Sequence, residues 1–121
     1  MTINRIVLRK KSSMLLNMPG VQMDLEIDNP DVNILNQEKN ILYLVKSFML
    51  KITDKEKQLT VASFEIIFQS EVQLHEEEVF SNTDFTRMLL PMIYMQLNSM
   101  IGEMPLPKID LQQFSALINK G

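Results

Sequence analysis

Few side chains in this sequence could carry chemistry, and their spacing works against a reaction centre. His75 is the single histidine, and three consecutive carboxylates follow it, Glu76-Glu77-Glu78. Imidazole and carboxylate are metal-ligand types, yet one His and a contiguous acidic run give no set of donors that converges on one ion. The solvated end of a strand is the reading for this run. Asp24, Glu26, Glu65 and Glu71 are the carboxylates from which an acid–base pair could be drawn. All four fall at the polar positions of alternating patterns, where exposed carboxylates belong, and not where two groups would meet one substrate. The chain has no cysteine, which removes disulfides, thiolate metal sites and a Cys nucleophile. Its three glycines form no phosphate loop. Ser12, Ser13, Ser63, Ser70, Ser81, Ser99 and Ser115 have no nucleophile context. The sequence assigns no catalytic residue, no metal and no cofactor, and points away from an enzyme.

The composition narrows the remaining classes. With 121 residues the chain is long enough for one domain with a modest core. The apolar fraction of 45% is that of a folded protein, and the net charge of −3 is mild. Arg9-Lys10-Lys11 is the one local cation cluster, so a footprint for nucleic acid is not expected. No apolar run approaches the roughly 20 residues needed to span a bilayer. Arg5 and Arg9-Lys10-Lys11 bracket only Ile6 to Leu8, too little for a secretory leader. The expectation is a cytoplasmic protein without membrane insertion. Ten methionines and no tryptophan stand out. Methionine suits irregular cores and also surfaces that accept many partners, and core filling is the first reading.

The elements that must position these residues are legible from periodicity. Ile3 to about Leu16 is an extended segment whose middle, Arg9 to Ser13, is polar enough for a bend or an exposed strand. Asn17-Met18-Pro19-Gly20 is a turn cluster. Val21, Met23, Leu25 and Ile27 alternate with Gln22, Asp24, Glu26 and Asp28, a strand with one buried face. Asn29-Pro30-Asp31 stops it, and a polar connection around Asn36 to Asn40 follows. Leu42, Leu44, Phe48, Leu50 and Ile52 share one face of the next strand. After the turn Asp54-Lys55-Glu56-Lys57, Ala62, Phe64, Ile66, Phe68, Val72 and Leu74 share one face of a fourth. The short link between the last two favours antiparallel pairing. The period then becomes helical. Ser81-Asn82-Thr83-Asp84 offers N-cap residues, Gly102 ends the helix after Ile101, and Pro91 is expected to loosen or kink its first turns. A short amphipathic helix from Asp110 or Leu111 to Lys120 closes the chain, with Leu111, Phe114, Leu117 and Ile118 on its apolar side. The fold class is α+β: a four-stranded antiparallel sheet, a long helix and a short C-terminal helix.

The long helix carries Phe85, Met88, Leu89, Leu90, Met92, Ile93, Tyr94, Met95, Leu97, Met100 and Ile101, which leave no wide polar stripe. A helix apolar all round has to be covered all round. One sheet covers one side, so a second subunit is the natural cover for the other, with Met88, Met92, Met95 and Met100 as the expected interface.

Leu90-Pro91, then Gly102-Glu103-Met104-Pro105, then Phe114 and Leu117 carry a resemblance to the SecB protein-export chaperones. In that family a long helix begins around an aliphatic-Pro pair and ends at a Gly, a Pro follows three residues later, and a Phe and a Leu enter the last helix. Glu65-Ile66-Ile67-Phe68 also resembles the family's Glu-Val-x-aromatic strand. The order of strands, long helix, linker and short helix matches over nearly the whole chain, and the residue-level match runs from about Ala62 onward. Where the family has a Gly before its strand-end aromatic, Ser70 and Val72 occupy the two places, and Gln112-Gln113 replaces its Asn or Pro before the final Phe.

The resemblance implies a cytoplasmic homo-oligomer, a tetramer built as a dimer of dimers, that holds unfolded polypeptide clients in apolar grooves. By position, Met14, Leu16, Met18 and Val21 would line such a groove with Met104, Leu106 and Phe114; the bland alternative is that they close the core of their own subunit. Acidic residues of the first strand that meet the translocase ATPase in the family fall here on Lys10 and Met14. Glu65 alone retains a carboxylate for that contact, which favours a solitary member serving a toxin–antitoxin system or a mobile element. The other function left open is a dedicated interaction protein on the same fold, binding one partner such as an antitoxin or a phage protein.

Overall fold

The computed structural model describes residues 1–28 and 31–107 together with Gln112 and Phe114. Five strands and one long helix follow one another: β1 (Thr2–Leu15), β2 (Met23–Asp28), β3 (Asn33–Glu38), β4 (Ile41–Asp54), β5 (Leu59–Gln73) and α1 (Asn82–Ile101). All pairings are antiparallel, and the sheet runs β1-β5-β4-β2, with β3 also on β4. β2 and β3 share one edge of β4: β2 covers Met49 to Asp54, and β3 covers Ile41 to Val45.

β4 and β5 form the centre because they alternate most strictly. Leu42, Leu44, Phe48, Leu50 and Ile52 of β4 and Ala62, Phe64, Ile66, Phe68 and Val72 of β5 are buried on one face, as their period of two requires. That face receives Phe85, Leu89, Ile93, Leu97, Met100 and Ile101 of α1. Ser81 caps the helix, its Oγ accepting the Asp84 N–H at 3.2 Å. The Gly102 N–H is donated to the Asn98 carbonyl at 2.9 Å at the far end. Pro91 sits well inside one continuous helix, beyond the first turns where the sequence placed its effect. It lies on the exposed side with Arg87, so the Arg87 carbonyl that loses its helical partner is on the side nearest water.

β3 corrects the four-strand expectation. It runs into the segment from Asn36 to Asn40 read as a polar connection, and all six of its residues are exposed. It has no buried face, only its backbone pairing with β4, and its register shifts between Ile34 and Asn36. β1 runs unbroken through Arg9 to Ser13 as an exposed strand, with register shifts at Asn4 and Arg9. Of the short C-terminal helix, Gln112 and Phe114 are helical and the other expected residues lie outside the described ones.

Candidate functional site

The feature that departs most from an ordinary surface is a group of apolar side chains at the hairpin end of the sheet. Met14, Leu16, Met18 and Val21 are all exposed, Met18 at 73% and Val21 at 89%, and Leu15 and Leu59 are exposed as well. Single exposed apolar residues need no explanation, whereas several along one short segment make this the candidate contact surface. The β1–β2 connection that displays Leu16, Met18 and Val21 is tied down by its backbone. The Leu16 and Asn17 N–H groups both donate to the Val61 carbonyl, at 2.7 and 3.1 Å, and Asn17 Nδ2 donates to the Thr60 carbonyl at 2.7 Å. The Lys55 N–H reaches the Gln22 carbonyl at 3.0 Å. Asp54, itself buried, accepts the Glu56 N–H at 3.0 Å and the Lys57 N–H at 3.3 Å through Oδ1, which fixes the β4–β5 hairpin. Gly20 packs against this carboxylate so closely that a Cβ there would lie 2.7 Å from Asp54 Cγ. The apolar group thus sits on strand ends and on a fastened loop.

On the outer face of the sheet the same surface continues across β5. Met14 pairs with Ser63, and Met49 pairs with Glu65, so the two methionines stand on either side of β5 at adjacent positions. The small Ser63 side chain between them leaves a shallow recess of about 200 Å³, which Ser12, Ser13 and Phe64 also line.

The remaining expected contact residues divide between surface and core. Met104 and Leu106 are half-buried against the core, and Phe114 is fully buried with its ring 5.8 Å from that of Tyr94. Among the helix methionines, Met88 and Met95 are exposed, Met95 at 68%, Met92 is half-buried, and Met100 faces the sheet within the core. The exposed stripe of α1 is Thr83, Asp84, Arg87, Met88, Pro91, Met95 and Ser99. It opens beside a recess of about 190 Å³ between the helix and β1, where Met92 and Met95 face Ile6, Leu8 and Phe68.

The charged groups form pairs and caps. Glu65 lies 2.6 Å from Nζ of Lys10, its diagonal neighbour on β1 on the outer face. Glu78 accepts the His75 N–H at 2.9 Å and lies 2.8 Å from the Met1 amine, and both interactions hold its carboxyl below the ordinary range. No group of His, Cys, Asp and Glu suited to a metal occurs among the described residues. No described helix is long and apolar enough to cross a membrane.

Sequence reasoning missed Lys46. It occupies the inward position between Leu44 and Phe48 and is fully buried, with Nζ 3.0 Å from Asn82 Oδ1 and 5.4 Å from the centre of the Phe48 ring. Burial pushes its ammonium below the ordinary lysine range, and the fields of Asp31 and Asp28 oppose that shift in part. The signal was its parity: it falls at an even position in a run whose even positions are all core.

No family model matches the chain, and no curated protein matches it. Among solved structures, a SecB-like chaperone of Mycobacterium tuberculosis, in complex with a ChAD peptide from the HigA1 antitoxin, is similar at a TM-score of 0.63. The identity is 19%, over 89% of this chain and 86% of that one, which establishes a SecB-like fold. A protein of unknown function from Streptococcus agalactiae is more distant, at 8% identity and a TM-score of 0.44 over 90% of this chain and 95% of that one.

Proposed function

We propose that this chain is the subunit of a SecB-like chaperone that binds non-native polypeptide segments at the hairpin end of its sheet. The observation that carries this reading is the exposure of Met14 at the end of β1 together with Leu16, Met18 and Val21 on the loop that follows, which backbone hydrogen bonds fasten. A fixed apolar surface gains affinity by burying the apolar side chains of a client, without demanding one sequence. A neighbour of like fold holds an antitoxin peptide, which supports a polypeptide as the ligand class. Met104 and Leu106, half-buried against the core, are proposed as further client contacts, while Phe114 packs inside on Tyr94.

The subunits assemble through the exposed stripe of α1, with Met88, Met92 and Met95 against a second copy and Ile6 and Leu8 at its margin. A tetramer built as a dimer of dimers is the proposed form, and the cytoplasm the proposed location. A carboxylate already paired is a poor docking point for the translocase, and Glu65 is paired with Lys10. That pair favours service outside export, so a single dedicated partner such as an antitoxin is the second reading.

Light scattering after size exclusion separates these readings, with the protein run alone and then with several unrelated unfolded polypeptides. The general reading expects a tetramer that co-elutes with most of them. An assembled protein that ignores all of them supports the dedicated partner, and a monomer contradicts the interface on α1.

A further inference from the structure

The sequence holds ten methionines, and the fold places only one of them, Met100, in its buried core. Leu, Ile, Val and Phe do the inner packing almost alone. Met14, Met18, Met49, Met88 and Met95 are exposed, and the first three belong to the hairpin end and the adjoining outer face. Leucine would give the same apolar area at these places. Methionine adds a thioether that peroxide can oxidise, in a chain with no cysteine to react first.

We propose that Met14, Met18 and Met49 are oxidation sites through which peroxide reversibly turns off polypeptide binding, an inference that rests on the binding surface proposed above. In the step, the methionine sulfur attacks one oxygen of hydrogen peroxide, an S–O bond forms and the O–O bond breaks. Sulfur loses two electrons to become a sulfoxide, and the peroxide is reduced to water. The product carries a strong hydrogen-bond acceptor on what was an apolar tip. A client that covers it must strip that acceptor of water, which weakens binding by on the order of tenfold for a sulfoxide left without a partner. Met18 rides on the loop held by Val61 and Thr60, and Met14 and Met49 stand on paired strands, so none of the three is drawn into the core by local motion. Met100 is 4% exposed and shielded, so the fold survives the oxidation that changes its surface.

The test treats the intact protein with dilute hydrogen peroxide and maps sulfoxides by peptide mass spectrometry. Binding of reduced, carboxymethylated α-lactalbumin and the urea midpoint are measured before and after, and again after methionine sulfoxide reductases. The expected result is sulfoxide at Met14, Met18 and Met49 and none at Met100. Binding weakens about tenfold or more, the urea midpoint stays put, and the reductases restore binding. In a Met14→Leu, Met18→Leu, Met49→Leu variant, peroxide should change binding less than about twofold from that variant's own untreated value. Full oxidation of the three with unchanged binding overturns the switch, as does an equal peroxide loss in the leucine variant. A fallen midpoint also overturns it, because the loss is then unfolding. Absence of binding by the untreated protein overturns the binding reading itself, and the switch falls with it.

Discussion

On the inner face of the sheet, Leu44, Phe48, Phe64 and Ile66 are sealed against Leu89, Ile93 and Leu97 of α1, whereas at the hairpin end Leu16, Met18 and Val21 face water. Both regions are apolar, but their chemistry differs. The inner face uses branched and aromatic side chains with defined rotamers, which fill space in one way. The hairpin end adds to its branched Leu16 and Val21 the unbranched thioether side chains of Met14 and Met18, which adapt to whatever covers them. Burial inside stabilises the fold, and in the proposed function the exposed apolar surface is the part left for a partner.

Replacing a residue of the inner face should have the largest effect on stability. Ile93→Ala removes a side chain with no exposure from the middle of α1, and about 2–5 kcal/mol of stability should be lost, read as a large fall in the urea midpoint. An unchanged midpoint would mean that the helix–sheet contact is not the core.

The join between the two regions should respond next. Gly20→Ala drives a methyl group into the Asp54 carboxylate, which two backbone N–H groups hold in place. A loss of about 1–3 kcal/mol is expected, together with weaker polypeptide binding as the loop shifts. Full stability with lost binding would show that Gly20 itself contacts the client.

Lys46 is the buried cation of the inner face, and its effect depends on pH. Its ammonium titrates below the ordinary value of 10.5 in the folded protein, so over the interval from that lowered value up to 10.5 the unfolded chain binds more protons. Stability contributed by this group therefore rises with pH through the interval, and its cost is fully present below it. Lys46→Met should flatten that rise, and at neutral pH it should be neutral or stabilising by up to about 2 kcal/mol. Urea titrations at pH 7, 9 and 10.5 check this, and an unchanged pH slope would show that burial of Lys46 has no energetic consequence.

The same contrast governs what the sequence disclosed. The inner faces of β4 and β5 were legible because alternation from Leu42 to Ile52 and from Ala62 to Leu74 is what a one-sided sheet requires. Ser81 and Gly102 marked the ends of α1 for capping reasons that are local. β3 was not legible, since Asn33 to Glu38 bury no side chain and their order comes from backbone pairing. The methionines were read first as core filler, because composition does not reveal location and a thioether suits either place. Met14, Leu16, Met18 and Val21 were legible as candidates by position. The bonds from Leu16, Asn17 and Lys55 that fasten their loop were not, because backbone groups have no sequence signature. Phe114 was assigned to the groove from its spacing, and its burial beside Tyr94 depends on a contact 20 residues apart that periodicity cannot supply.

The most direct test of the central claim is the triple variant Leu16→Ser, Met18→Ser, Val21→Ser, measured against wild type for calorimetric binding of several unrelated unfolded polypeptides and for urea stability. Three exposed side chains away from the core should each shift stability by no more than about 0.5 kcal/mol. The expected variant folds and assembles like wild type and binds each polypeptide at least about tenfold more weakly. Binding at wild-type strength by a folded, assembled variant would contradict the claim and place the polypeptide site elsewhere on the molecule.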